Sequence, residues 1–134
     1  MTLRHAGVAL VLGCLSTFAT ASGCSSPTQP SGPVPTISQI SPASAAFGDT
    51  VTVTGAGFRT TGNALSIGGG YLSQASPSDG SSVRFVLSQT TGACPPTASV
   101  CVTLAVILSP GVFQVSVVNA SGTSNSVSLQ VNSR

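Results

Sequence analysis

The chain has 134 residues and a formal net charge of +2, and charged side chains make up only 4% of it. Lysine and glutamate are absent, so arginine and aspartate carry the charge, which leaves no basic stripe for a nucleic-acid backbone and no field to steer acidic partners. The 41% hydrophobic fraction is rich in β-branched residues and supplies a core, which sets the chain apart from polar disordered ones.

Residues 1–23 read as an export signal. Arg4 and His5 form a short polar start, Val8 to Leu15 an apolar stretch, and Ala19-Thr20-Ala21 a small-residue cleavage site. The apolar stretch is shorter than the roughly 20 residues that span a bilayer. Ala21-Ser22-Gly23-Cys24 resembles the bacterial lipobox, with Ala21 where leucine is usual. That resemblance implies that Cys24 takes a lipid and becomes the N-terminus, its acyl chains holding the protein on a membrane. Residues 24–35, rich in Ser, Pro and Thr, then form a tether that holds a domain off the surface. The expected location is the bacterial cell envelope, lipid-anchored. The alternative is cleavage after Ala21 and free secretion.

From residue 36 to 132 the dominant signal has period two. Thr50 to Thr54 alternates with Val51 and Val53 on one face. Asn63 to Ile67 and Tyr71 to Gln74 are weaker strands around a Gly68-Gly69-Gly70 turn. Ser82 to Leu87 places Val83, Phe85 and Leu87 together. Cys94 and Cys101 form an even pair in an oxidising compartment and predict a structural disulfide. Closing so small a loop stabilises by roughly 2–3 kcal/mol in the chain-entropy model. Val102 to Leu108 is a nearly continuous apolar run and a candidate for a fully buried strand. Val112 to Val118 turns Phe113, Val115 and Val117 inward, and Ser126 to Val131 does the same with Val127, Leu129 and Val131. Turn chemistry fills the gaps, and no segment has a 3.6 period. Short alternating strands at this spacing predict an all-β sandwich.

Two motifs at opposite ends of this region carry a resemblance. "PTISQISPASAAFGDTVTVTGAGF" places Ile37, Ile40, Ser41, Pro42, Gly48, Thr50, Val51, Val53, Gly55, Gly57 and Phe58. "SPGVFQVSVVNASGTSNSVSLQV" places Pro110, Gly111, Phe113, Val115, Val117, Asn119, Gly122, Ser124 and Asn125. Together they resemble the opening and closing halves of an IPT/TIG domain. The resemblance implies an immunoglobulin-like β-sandwich of about seven antiparallel strands. The Cys94–Cys101 stretch departs from the family pattern and reads as a lengthened loop. Gly55 and Gly57 stand where a strand must leave the sheet, a place for positive φ, and Phe58 folds back as a lid on that end. Asn119-Ala120-Ser121-Gly122 fits a hairpin.

Catalytic groups are scarce. The only histidine, His5, lies in the signal, and the only carboxylate side chains are Asp49 and Asp79, each beside a turn glycine. No Ser-His-Asp arrangement is available, and neither C-x-x-C spacing nor a histidine of the mature chain offers a metal site. The expectation is therefore no catalytic residue, no metal and no cofactor, with both aspartates capping turns. Tyr71 is the candidate ligand contact, because an exposed aromatic face suits a polysaccharide; packing in the core or at its rim is the alternative. The nearly uncharged sheet edges suit strand addition by another protein. The expected partner is a protein or polysaccharide at the envelope and not a nucleic acid.

Overall fold

The computed structural model describes residues 32–102 and 104–134. The export signal, Cys24 and most of the tether lie outside the described residues. Eleven strands follow in chain order: β1 (Thr36–Ser41), β2 (Ser44–Ala46), β3 (Thr50–Ala56), β4 (Ala64–Ile67), β5 (Gly70–Ser73), β6 (Ser82–Val86), β7 (Thr90–Gly92), β8 (Ala105–Ile107), β9 (Gly111–Asn119), β10 (Gly122–Thr123) and β11 (Val127–Asn132). Seven of them have four or more residues; β2, β7, β8 and β10 are pieces of two or three. The expected seven strands are thus present, with four short additions. All pairings are antiparallel except the edge piece β2, which runs parallel to β11.

The strands form two sheets. One is β1-β3-β6; the other runs β2-β11-β9-β4-β5-β7-β8, with β10 added beside β9. Alternation explains why the sheets face each other. Val51 and Val53 of β3 are fully buried while Thr50 and Thr54 are exposed. Their register sets Val51 against Phe85 and Val53 against Val83 of β6. Leu65, Ile67, Leu72, Val115, Val117, Leu129 and Val131 come inward from the larger sheet and close one continuous core. Each such side chain contributes about 1.5–3 kcal/mol through burial, which makes the interdigitated inner faces the main source of stability. The result is an all-β sandwich with both inner faces apolar.

Two expectations need correction. The run Val102 to Leu108 is not a buried strand. Among its described residues only Ala105–Ile107 is extended, Val102, Leu104 and Ile107 lie in solvent, and the core receives Leu108 with partial cover from Val106. An apolar run alone cannot tell a central strand from an edge, because composition does not show which neighbours a strand will have. Phe113 is half-buried against the core rather than enclosed, since it lies near the start of β9, away from the fully buried Val115 and Val117.

Candidate functional site

The end of the sandwich that carries the opening motif is held by backbone geometry and side-chain amides. Gly57 has φ +75°, and a Cβ there would stand 2.8 Å from the Val34 carbonyl oxygen. Gly55 needs glycine for a different reason from the expected positive φ. Its φ lies outside the left-handed range, but a Cβ would collide with the Thr36 carbonyl. The chain beyond them turns Phe58 into the core, and the Phe58 N–H donates to the Gly80 carbonyl at 3.3 Å.

Behind this turn lies an amide cluster that periodicity does not reveal. Asn119 and Asn63 are both buried, and Asn119 Nδ2 donates to Asn63 Oδ1 at 3.1 Å and to the Gly57 carbonyl at 3.2 Å. Asn63 Nδ2 donates to Gln74 Oε1 at 2.6 Å, and Gln74 Nε2 donates to the Thr60 and Ser76 carbonyls. Asn119 Oδ1 also accepts the Ser121 N–H at 2.8 Å, which shapes the hairpin between β9 and β10. A buried amide is costly unless satisfied, and here every arm is used to pin loops. Ser124 and Asn125 work alike. The Val117 N–H donates to Ser124 Oγ at 2.8 Å, and Asn125 pairs with both backbone groups of Ile37, at 2.7 and 3.0 Å. Asn125 therefore ties the β10–β11 connection to the bulged part of β1, where the register shifts between Ile37 and Gln39.

The two aspartates sit at opposite ends of β3. Asp49 precedes Thr50, while Asp79 binds Ser82, the partner of Thr54; about 14 Å of strand separates those two positions. Asp49 Oδ2 accepts the Ala46 N–H at 2.9 Å. Asp79 Oδ1 accepts the Ser81 and Ser82 N–H groups at 2.9 and 2.8 Å, together with the Ser81 hydroxyl. The hydrogen bond from the Ser81 backbone, then that from Ser82, hold this exposed carboxyl below its ordinary 3.8, at about 2. Both groups cap turns in this arrangement and do not share a site.

Tyr71 is half-buried on β5, opposite Ser66 of β4 and beside Gly92 of β7. It borders a hollow of 370 Å³ together with Asn63, Ser73, Gln74, Cys94 and Pro96. The amides of Asn63 and Gln74 already serve the loop network, so the ring itself is the principal contact this hollow offers. Cys94 and Cys101 are disulfide-bonded with Cα atoms 5.9 Å apart. The loop they close projects from the end of the larger sheet between β7 and β8. Here the surface changes character. Val100 is 88% exposed, Val102 70%, Leu104 63% and Ile107 73%, so four of the large exposed hydrophobics fall within eight residues. No charged side chain occurs from Phe85 to Ser133.

The IPT/TIG domain model matches residues 35–131. The chain belongs to the IPT/TIG family. No curated protein matches it significantly. Among solved structures it is similar to gamma-CGTase from alkalophilic Bacillus clarkii, at 22% identity and a TM-score of 0.55, over 73% of this chain and 12% of that one. This likeness is one of fold, and it extends over a small part of the larger protein. The TIG sandwich of this chain is a binding or structural module. Its two family motifs supply the turn at Gly57 and the pins at Asn119 and Asn125, while the segment from Val100 to Ile107 carries the exposed apolar side chains.

Proposed function

We propose that this chain is a non-catalytic bacterial envelope lipoprotein, anchored through Cys24, whose tether presents the TIG domain for protein–protein contact. The observation that carries the reading is the uncharged apolar strip from Val100 to Ile107 at the end of the larger sheet. A large hydrophobic patch in water marks a contact surface, and an open strand edge offers backbone groups to a partner strand. The signal-like N-terminus and the Ser/Pro tether add the reason for display at a membrane. A photo-cross-linking residue placed at Val102 in living cells is expected to give protein adducts in the envelope fraction, while the same residue at the exposed Gln39 of β1 gives none. Adducts at neither position, or equally at both, contradict the reading. The mature mass accompanies this test: Cys24 to Arg134 plus acyl chains is expected, and an unmodified chain starting at Ser22 removes the anchor.

A second reading has its own observation. The half-exposed Tyr71 in its hollow suits a sugar ring, as in a polysaccharide-binding accessory module. Tyr71 is the only tyrosine and tryptophan is absent, so intrinsic fluorescence reports this position alone. An emission change on titration with a soluble polysaccharide supports the second reading, and a flat titration across glucans, xylans and peptidoglycan fragments removes it.

A further inference from the structure

Each sheet path ends in two strands, β1 and β6 in one and β2 and β8 in the other. Proteins blunt such edges with charges, prolines, bulges or cover, and three of these four are treated in that way. β1 carries a bulge between Ile37 and Gln39 and lies between Pro35 and Pro42. β6 carries Arg84 and is partly covered by the chain at Gln74 and Ala75, where the Ala75 N–H donates to the Arg84 carbonyl. β2 and β8 are equally short, and at β2 the Ala46 N–H is also taken by Asp49. β8 has no charge, no proline and no bulge, and its outward side chains Ala105 and Ile107 are exposed.

The backbone of β8 is arranged for pairing. The Leu108 N–H donates to the Gln89 carbonyl, and the Leu104 carbonyl accepts the Ala93 N–H. The backbone groups of Leu104 and Leu108 therefore face β7, and antiparallel alternation turns those of Ala105 and Ile107 to the open side. Among the described residues none of these outward groups has a strand opposite it. The two outward residues are two apart, which makes the edge self-complementary. A two-fold axis at Val106 sets Ala105 opposite Ile107 of a second copy, and Ile107 opposite its Ala105, small against large.

We infer that β8 pairs antiparallel with β8 of a second copy of this chain. The inference rests on the proposed role as a protein-contact module and names its partner. The absence of charge from Phe85 to Ser133 removes the like-charge repulsion that would separate identical surfaces. Val100, Val102 and Leu104 are exposed beside β8 and add apolar surface to the contact. So small an interface is weak in solution. Anchoring both copies to one membrane raises their effective concentration and makes the pairing persist.

The test uses the mature protein extracted in density-matched detergent. Sedimentation equilibrium over a concentration series is expected to show a monomer–dimer equilibrium. Hydrogen exchange is expected to slow at the Ala105 and Ile107 amides as concentration rises, with no change in β1. Ile107→Lys buries an unpaired ammonium at the seam and is expected to weaken association about tenfold or more. Ala105→Pro removes an outward donor without touching the core and acts in the same direction. A monomer at every concentration, a dimer indifferent to both variants, or protection on another strand overturns the pairing. A monomer together with cross-links from Val102 to a different protein removes only the second copy as partner. A monomer with no cross-links removes the contact-module reading as well.

Discussion

The terminal strands of the domain and the Cys94–Ile107 segment use their side chains in opposite ways. From Thr36 to Phe58 and from Gly111 to Asn132, apolar side chains alternate into the core and amides tie loops to backbone. From Cys94 to Ile107, valines, leucine and isoleucine stand in water around a disulfide. The lesson is that hydrophobicity has two roles in one small sandwich. In the alternating strands it makes the fold, and from Val100 to Ile107 it remains available for contact.

The largest effect is expected from substitution at Gly55. Gly55→Val drives a side chain into the Thr36 backbone, which cannot yield without separating β1 from β3. A loss of more than about 4 kcal/mol, or failure to fold, is expected. An unchanged denaturation midpoint shows that β1 is not held against β3 as described. Asn125→Ala comes next. It leaves both backbone groups of Ile37 without their side-chain partner, so a loss of about 1–3 kcal/mol is expected in urea unfolding. Asn125→Asp, which keeps the acceptor but not the donor, is expected to fall between the parent chain and Asn125→Ala.

These positions also show how much was legible in the sequence. The period-two strands, the hairpin at Asn119 and the two-sheet core follow from local alternation and turn chemistry, which a single sequence displays. The amide cluster does not, because Asn63 and Asn119 meet across 56 positions and nothing near either residue announces the other. Gly55 reads as a torsional requirement from the sequence, whereas its constraint is the close approach of β1, a tertiary fact. Val102 to Leu108 reads as interior from composition, whereas strand position in a sheet is set by neighbours. Tyr71 is visible as the one candidate ring, with packing at the core rim as its alternative, but the hollow it shares with the Cys94 loop is not.

Smaller effects sharpen the contrast from the middle of the chain. Reducing the Cys94–Cys101 bond is expected to lower stability by about 2 kcal/mol, with faster hydrogen exchange confined to β7, β8 and their loop. Exchange rising equally in β3 and β9 would show that this segment is part of the framework. The least effect belongs to Asp79. Its carboxyl titrates lower in the folded chain than its ordinary 3.8, so its hydrogen bonds favour the folded state above that value and are lost as pH falls through about 2. The carboxyl is exposed, so Asp79→Asn is expected to flatten the acid limb of the melting-temperature profile only slightly. An unchanged acid limb would mean that Asp79 adds nothing measurable at its turn.

The most direct test of the account is the melting temperature of Leu104→Ser/Ile107→Ser, measured beside its cross-linking from Val102. Removing two large hydrophobics from a core is severe, but removing them from a contact surface leaves the fold alone. The account predicts stability within about 0.5 kcal/mol of the parent chain and loss of the cross-linked species. A melting temperature that collapses as a core substitution would make it, with cross-linking intact in the fraction that folds, would place these side chains in the framework and contradict the account.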